Sequence, residues 1–345
     1  MQGSIRSTVN RALSDISVVI VTYRGDTLLD ACLSSLSAVC GSEIEVVVVD
    51  NSPSAATREL TGRFPNVRYV PSPGNPGFAG GNNRGIRFCS RPYILLLNND
   101  TVVHARQSLE TLASFLDDHP RCAVVQGTMT LPKCGGSLGG CGSFLTPFGI
   151  LYAYGAYVPD APEFHEARPV FSAIGAFMML RASAIPEAGG MLFRTHFWSY
   201  YEETDFCHRV WLSGSQVWYV PTPPIDHLAG QTSSMFDRSR IMGGYLRNQY
   251  FSLSANLGRF SRMRILPLLW CVIVGHAMLH LIRGDAAQFR ANMAALRSIR
   301  RDRARILAAR RQAEKTRKTP DRDIFRFAMR MPPLSYFIKS LRANA

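Results

Sequence analysis

Apolar runs alternate with helix-compatible stretches over the first hundred residues of the chain. The runs cover residues 16–23, 44–49, 66–70 and 93–97, and each is followed by polar or turn-forming residues. Continuous apolar runs of this length are typical of interior strands in a sheet that is covered on both faces. With a helix predicted over 27–39, the order strand, helix, strand indicates an α/β fold whose strand ends open onto one crevice.

The alternation continues through the next part of the chain, with one interruption. Further helices are predicted over 80–89, 108–118 and 204–213, and further strands over 123–126, 173–180 and 216–220. Residues 129–169 are instead rich in glycine, proline and aromatic side chains. This composition predicts loops that shape an acceptor cleft rather than core.

Residues 265–282 form 18 almost uncharged positions that only just reach membrane-spanning length. They include a proline and two histidines, and arginines flank them on both sides. Three interpretations stay open: a buried core helix, a helix lying in the headgroup layer of a membrane, and a true span. The basic helical stretch 297–311 would be attracted to anionic lipid by about 1 kcal/mol per basic residue near the surface.

The formal net charge of +14 on 345 residues is concentrated at the C-terminal end. Residues 283–345 contain 17 Lys and Arg against 5 Asp and Glu, which leaves a net charge of +2 before them. The basic character belongs to the tail, so we expect an anionic membrane surface rather than nucleic acid as its partner. The expected divisions are a polar lead (1–15), an α/β domain (16–255) and a basic, partly apolar helical region (256–345).

Eight cysteines are scattered without a Cys-x-x-Cys pair, and no secretory signal opens the chain. A reducing cytoplasmic location is therefore expected, at the inner face of the cell membrane. Cys134 and Cys141 bracket a glycine-rich loop and could meet as a disulfide or metal-binding pair. Two of four ligands do not make a zinc site, which weighs against the metal.

An acid follows the fourth apolar run directly, in the segment Asn98-Asn99-Asp100. Ligands of open α/β sheets collect beyond the carboxyl ends of the strands, so Asp100 is expected at the mouth of the crevice. A carboxylate in this position can hold a divalent metal against a diphosphate.

Two other strand ends carry polar groups that suit a nucleotide. Thr22, Tyr23 and Arg24 offer a hydroxyl, an aromatic face and a guanidinium at the end of the first strand. Asp50, followed by Asn51, can accept a hydrogen bond from a base N–H or a ribose hydroxyl. Capping of the next helix is the alternative role for Asp50.

A glycine-rich segment at 75–85 contains Gly80, Asn82 and Arg84. Its glycines would let the backbone approach a ligand, and the helix start that follows favours anions. No Gly-Lys-Ser/Thr follows, so this is not a Walker loop, and an ordinary turn is the alternative.

Three acids, Glu202, Glu203 and Asp205, lie within four positions. Like charges this close raise at least one pKa, which suits a carboxylate for general-base work, although the same acids would also stabilise a helix N-terminus. We expect Glu203 to face the cleft, with Glu202 and Asp205 structural or acceptor-binding. His227 follows another strand end and is a candidate ligand for the same metal as Asp100, with a structural role as the alternative.

In this order the motifs resemble the family 2 glycosyltransferases of the GT-A fold, and most closely the rhamnosyltransferase-like branch that builds bacterial surface polysaccharides. The matching segments of the first half are 19–23, 48–52, 75–85 and 96–100. Those of the second half are 175–181, 200–209, 227–233 and 245–250. The resemblance implies a mixed, mainly parallel sheet flanked by helices, with the basic helical region as a C-terminal appendage.

The resemblance also implies an inverting transfer of a sugar from a nucleotide-diphosphate donor to an acceptor hydroxyl. Asp100 and His227 would hold Mg²⁺ or Mn²⁺, and Glu203 would be the catalytic base. Asp50 and Thr22 would read the pyrimidine. Arg209 and Arg247 would contact the acceptor or the phosphates.

Two residues depart from the family's pattern. Asn98 replaces the usual first acid of the metal motif, and Glu203 replaces the usual Asp of the acidic pair. The amide of Asn98 still offers an oxygen to the ribose or to a metal-bound water. A glutamate moves the base by one methylene, which at near-attack distances of about 3 Å requires a matching backbone shift.

Within this branch, the favoured donor is dTDP-rhamnose and the favoured acceptor is lipid-linked or polysaccharide. A UDP-hexose or UDP-galactofuranose donor is the alternative within the same class. From a different class, the alternative is a non-catalytic nucleotide- or membrane-binding protein in which the basic tail is the functional part. That alternative leaves the acidic cluster and His227 without a role. The oligomeric state stays open.

Overall fold

The computed structural model describes residues 13–228, 237–333 and 336. The polar lead up to residue 12, the last part of the motif at 227–233 and the end of the basic region lie outside these residues. The strands are β1 (Ile16–Thr22), β2 (Glu45–Asp50), β3 (Val67–Pro71), β4 (Tyr93–Asn98), β5 (Thr101–Val102), β6 (Cys122–Gln126), β7 (Met129–Leu131), β8 (Ser137–Leu138), β9 (Ser143–Leu145), β10 (Leu151–Ala153), β11 (Arg168–Pro169), β12 (Phe177–Arg181), β13 (Gln216–Tyr219) and β14 (Ile225–His227).

Helices lie between these strands and follow them. They are α1 (Asp26–Cys40), α2 (Ala55–Gly62), α3 (Gly77–Gly85), α4 (Gln107–Asp118), α5 (Ala184–Glu187), α6 (Glu202–Leu212), α7 (Arg238–Asn256), α8 (Arg259–Ile282), α9 (Ala286–Arg301), α10 (Arg303–Thr316) and α11 (Asp321–Ala328). The periodicity predicted neither α2 nor α7, which is 19 residues long.

A central eight-stranded sheet has the strand order β11-β13-β6-β12-β4-β1-β2-β3. The four strands β3, β2, β1 and β4 run parallel, and β12 lies antiparallel between β4 and β6. The α/β class and the mixed, mainly parallel sheet are thus confirmed. Because β1, β2 and β4 are parallel neighbours, their polar ends meet at one edge, as expected.

The apolar runs are buried on both faces of the sheet. Val18 and Ile20 of β1 pack into one hydrophobic cluster with α1 and α4, whereas Val19 packs into the other with α3 and α6. Side chains alternate across a strand, so a continuous apolar run supplies both clusters at once.

The expectation that residues 129–169 are loops outside the core is wrong. They form the short strands β7 to β11, and Cys141, Phe144, Leu145 and Phe164 are at most 4% exposed. Glycines with positive φ turn the chain between these strands, so that Phe144, Tyr154 and Phe164 are buried, whereas Tyr157 is exposed. Cys134 is exposed, Cys141 is buried and both are free thiols, which excludes the disulfide.

Two predicted starts are displaced by three or four residues. The helix predicted from residue 80 begins at Gly77, and the strand predicted from residue 173 begins at Phe177. The backbone N–H of Ile174 donates to Gln126 Oε1 at 2.8 Å instead of to a neighbouring strand. The basic stretch 297–311 is divided between α9 and α10 at Asp302.

The apolar segment 265–282 lies within α8, which is only partly buried. Ile265, Leu269, Ile273 and Ala277 form a stripe packed on the protein, while Trp270 is 48% exposed. Among the described residues, α8 alone is long and apolar enough to cross a membrane, judged by length and composition. The core interpretation therefore holds for one stripe of the helix and not for its opposite face.

Candidate active site

The strand β14 positions His227 beside Asp100. It pairs antiparallel with β5, so that His227 lies opposite Thr101, and the N–H of Leu228 donates to the carbonyl of Asp100 at 2.9 Å. His227 Nε2 is 3.3 Å from Asp100 Oδ1, and this buried oxygen accepts no hydrogen bond. A carboxylate oxygen and an imidazole nitrogen therefore face the same point, as two ligands of one cation do.

The two asparagines before Asp100 have different partners. Asn98 Nδ2 lies 3.4 Å from His227 Nε2, so this amide belongs to the same cluster. Asn99 Nδ2 donates to Thr22 Oγ1 at 3.0 Å, which ties the end of β4 to the end of β1. A Cβ on Gly25 would lie 2.6 Å from that amide nitrogen, so a larger residue there would displace the Asn99 amide.

These side chains open into a cavity of about 310 Å³ at the carboxyl edge of the sheet. The predicted site residues that line this cavity are Thr22, Tyr23, Asn51, Asn98, Asn99, Asp100, Glu202, Glu203 and His227. Aromatic rings of Phe78, Trp198 and Tyr200 complete much of the wall. Among the residues that line it there are three carboxyl groups and no lysine or arginine.

Glu202 and Glu203 form the first turn of α6, directly after a strained turn. Tyr200 and Tyr201 have φ of 70° and 73°, a region that costs non-glycine residues of the order of 1 kcal/mol or more. Burial raises the pKa of Glu203 to about 7. Burial, followed by the charge of Glu203, holds the pKa of Glu202 well above its usual range. Each carboxyl group keeps one buried oxygen without a hydrogen-bond partner.

Trp198 joins the glycine-rich segment to the acidic cluster. Its carbonyl accepts from Ala79 N–H and its Nε1 donates to Asn75 O, both at 3.1 Å. Gly77 has a φ of 76°, and a Cβ there would collide with the Trp198 carbonyl. Sequence reasoning missed Trp198 and Phe78 as cavity residues. Both are aromatic residues beside a motif, but the sequence pattern alone does not distinguish an aromatic residue that lines a cavity from one in the core.

The other predicted donor-binding residues lie outside the cavity wall. Asp50 is fully buried, and its carboxylate accepts from the N–H of Ser52 at 2.9 Å and from Tyr69 OH at 3.1 Å. Its neighbour Asn51 does line the cavity and donates to Gly77 O at 3.0 Å.

The predicted residues on α3 and before α1 do not face the cavity either. Asn82 donates to Phe78 O at 2.9 Å within α3, because it lies one turn further along the same helix. Gly80 packs on Pro76. Arg24 and Arg84 are exposed and are not among the lining residues.

Asp205 and Arg209 are engaged inside the protein, which favours the structural alternative for Asp205 and leaves Arg209 away from the expected contact with acceptor or phosphate. Asp205 Oδ2 lies 2.9 Å from both Arg194 Nε and Arg209 Nε, and these guanidiniums hold its pKa well below the usual range although burial opposes this. Arg209 also donates to three backbone carbonyls between 188 and 192. Arg247 donates to His196 O and lines a second, neighbouring cavity.

The acids, amides and imidazole at the carboxyl edge of this sheet are those that the motifs led us to expect of a glycosyltransferase, and similarity to known proteins establishes that class. The family model "Glycosyl transferase family group 2" matches residues 93–299, and "Glycosyl transferase family 2" matches residues 17–145. The chain therefore belongs to the family 2 glycosyltransferases, as its motifs predicted.

Two curated relatives are each 26% identical to the chain. The low-salt glycan biosynthesis hexosyltransferase Agl10 of Haloferax volcanii matches over 76% of this chain and 84% of its own length. The N-acetylglucosaminyl-diphospho-decaprenol L-rhamnosyltransferase of Mycobacterium tuberculosis matches over 85% of this chain and 96% of its own length.

Solved structures are similar in fold at lower identity. Residues 1–349 of S. aureus TarS, in complex with UDP-GlcNAc, give a TM-score of 0.56 at 15% identity and cover 88% of this chain and 89% of that one. GalNAc-T7 with UDP, GalNAc and Mn²⁺ gives a TM-score of 0.55 at 14% identity, over 70% of this chain and 48% of that one. These likenesses confirm the GT-A fold.

Proposed function

We propose that this glycosyltransferase moves a sugar, with inversion, from a nucleotide-diphosphate donor to an acceptor hydroxyl, and that Glu203 is its catalytic base. The observation that carries the proposal is that Glu203, with a pKa raised to about 7, lines the same cavity as Asp100 and His227. A base with a pKa near the working pH takes a proton most effectively. Glu203 would deprotonate the acceptor hydroxyl while the nucleotide leaves from the opposite side of the sugar.

A divalent cation fits the chemistry of the cavity. A diphosphate beside three carboxyl groups and no lysine or arginine needs a counter-charge. Asp100 and His227 are the residues that would hold Mg²⁺ or Mn²⁺, since an unpartnered carboxylate oxygen lies 3.3 Å from the imidazole. When bound, the cation would neutralise charge on the leaving diphosphate. Among the described residues no third His, Cys, Asp or Glu joins them, so water and phosphate oxygens would complete the shell.

The favoured donor is dTDP-rhamnose, and the favoured acceptor is lipid-linked or a growing glycan. Support comes from the M. tuberculosis relative, whose name describes rhamnosyl transfer to a diphospho-decaprenol acceptor. The H. volcanii relative is a hexosyltransferase, so a UDP-hexose, or UDP-galactofuranose, is the second candidate.

The exposed face of α8 supports an acceptor at a membrane surface. Phe260, Leu268, Trp270 and Ile282 are between 39% and 85% exposed, and the arginines Arg259 and Arg264 are exposed at its start. Apolar side chains with flanking arginines suit a helix that lies in the headgroup layer. We therefore propose peripheral attachment at the cytoplasmic face.

The test is a panel of nucleotide sugars with Mg²⁺ or Mn²⁺, read as nucleotide diphosphate release and repeated with chelator. The expected result is cation-dependent release from one donor only, with dTDP-rhamnose first. Release that is unaffected by chelator would contradict the role of Asp100 and His227. Binding of a nucleotide sugar without any release would favour a non-catalytic nucleotide-binding protein.

A further inference from the structure

A second cavity of about 390 Å³ lies next to the first and has the opposite charge. It is formed by α7, α9 and the loop before α6, and it shares Trp198, Ser199, Tyr200 and Ile241 with the first cavity. A molecule bound with one group at Glu203 could therefore extend past this shared wall into the second cavity.

Three arginines line the second cavity, and no carboxylate does. Arg247 is partly buried, whereas Arg240 and Arg301 are exposed at the mouth. Within the described part of the chain, none of the three is in an ion pair with an acid. Residues 229–236, which precede α7, contain no Asp or Glu. Arg247 also donates to His196 O, and Arg240 lies over the Trp198 ring at 5.7 Å, but each guanidinium keeps further N–H groups that an anion can accept from.

The neighbouring groups do not cancel this charge. Two acids are near these arginines in sequence. Asp302 is buried and lies 3.3 Å from Arg305, and Asp237 caps α7, where its carboxylate accepts from the backbone N–H of Arg240 at 3.0 Å. Burial lowers the pKa of Arg247, and the adjacent arginines Arg305 and Arg301 add to this while Asp302 opposes it. His196 also lines the cavity, and burial lowers its pKa to about 4, so it is neutral near pH 7.

Small residues keep the second cavity open. Gly243, Gly244 and Ala295 lie on its walls. A Cβ on Gly243 would press on Ala291 at 3.2 Å, which shows that α7 and α9 pack closely there. A Cβ on Gly244 meets nothing within 4 Å, so a larger side chain at Gly244 would extend into open space.

The second cavity is also one helix away from α8, because α9 lines the cavity and packs directly against α8. An anion held by the arginines would thus lie beside the catalytic cavity, against a helix that contacts the apolar α8. This arrangement suits a lipid-linked acceptor, in which a phosphate joins the sugar to the lipid.

We propose that the second cavity binds the phosphate or diphosphate group of the acceptor, between Arg240, Arg247 and Arg301. The proposal rests on the proposed glycosyl transfer in the first cavity. Its rivals for the same arginines are the donor diphosphate and the phosphate headgroups of the membrane.

The test uses geranyl diphosphate below its micellar concentration, with chelator present and no vesicles, and measures its dissociation constant by calorimetry. We expect wild type to bind it and not to bind geraniol. Arg301→Gln should weaken binding by about tenfold, the size of a charge-assisted contact of roughly 1.4 kcal/mol. Gly244→Leu should weaken it at least as much without loss of melting temperature, since glycine is a poor helix former. Arg290→Gln, an exposed change on α9 outside the cavity, is the matched control and should bind as wild type.

Each rival gives a different result. Displacement of geranyl diphosphate by dTDP or UDP would assign the arginines to the donor and overturn the proposal. Equal affinity for geranyl diphosphate in wild type, Arg301→Gln and Gly244→Leu would also overturn the proposal. If, in that case, Arg301→Gln alone bound phosphatidylglycerol vesicles more weakly, Arg301 would be assigned to the membrane. Donor turnover by wild type without geranyl diphosphate binding defeats this inference alone. Binding without turnover of any nucleotide sugar defeats the proposed function, and with it the acceptor assignment.

Discussion

His227 Nε2 lies 3.3 Å from Asp100 Oδ1 because β14 pairs with β5. The two residues come from distant parts of the chain, and a two-residue strand directly after the predicted metal motif brings them together. No arginine or lysine lines the cavity that they share. Because the proposed cation ligands, Asp100 and His227, are different residues from the proposed base, Glu203, the two roles can be tested separately.

Replacing Asp100 should weaken the effect of a divalent cation. For Asp100→Asn we expect at least about a tenfold increase in the Mn²⁺ concentration that stabilises the protein in the presence of nucleotide diphosphate, because one charged ligand is lost. Thermal unfolding during a Mn²⁺ titration measures this without turnover. Asp226→Asn is the control, since Asp226 lies next to His227 but pairs with His104 at 2.8 Å. Identical titrations for both variants would contradict the metal assignment.

Replacing Glu203 should slow turnover while the fold is kept. Glu203→Gln removes the proposed base and nearly preserves its shape, so kcat should fall by roughly 10²- to 10⁴-fold. Donor affinity should not fall, because the amide carries no charge to repel the diphosphate. Nucleotide diphosphate release and donor titration measure the two quantities. Turnover near that of wild type in a variant with an unchanged melting temperature would rule out this base.

The raised pKa of Glu203 predicts a pH profile. Since burial raises this pKa to about 7, the rate should rise about tenfold per pH unit below 7 and level off above it. The same shift has the opposite effect on stability: the folded state holds the proton more tightly, so the contribution of Glu203 falls as pH rises from about 4.5 to about 7. The rising limb should be absent from any residual activity of Glu203→Gln. A flat wild-type profile between pH 5 and 8 would contradict the assignment.

Asp205 should matter for stability. Asp205→Asn leaves Arg194 and Arg209 without their buried carboxylate, which typically costs about 3–5 kcal/mol of unfolding free energy. Asp30→Asn is the control, because Asp30 pairs with Arg63 at the exposed surface, where such a pair contributes less than about 1 kcal/mol. Denaturant unfolding compares the two variants. An Asp205→Asn variant of normal stability with only a raised acceptor KM would restore the acceptor-binding interpretation.

The exposed face of α8 should determine how much of the protein co-sediments with lipid vesicles. Leu268→Gln with Trp270→Gln removes two exposed apolar side chains, so co-sedimentation with phosphatidylglycerol vesicles should fall by at least about tenfold. Tyr157→Gln, at a position 71% exposed in another part of the protein, is the control. Unchanged recovery of the double variant would mean that the apolar face of α8 does not contribute to membrane binding.

The sequence alone determined the fold class, the family and most of the cavity. Apolar runs that end in polar residues predict parallel strands, and Thr22, Asn98, Asp100 and Glu203 reach the cavity because strand ends and a helix start carry them there. Periodicity reports local structure, so it also predicted α8 as an apolar helix without deciding which of its sides is covered.

Only the tertiary structure decided which distant residues meet, which side chains are buried and where the second cavity forms. The pairing of β14 with β5 brought His227 to Asp100, and the ion pairs of Asp205 moved Arg209 from a ligand-binding role to a structural one. Phe144, Tyr154 and Phe164 became core through turns whose direction depends on backbone conformation. The second cavity exists because α7 and α9 pack side by side. Contacts between distant segments produce the strand pairing, the ion pairs and the second cavity, and local patterns of residues do not determine such contacts.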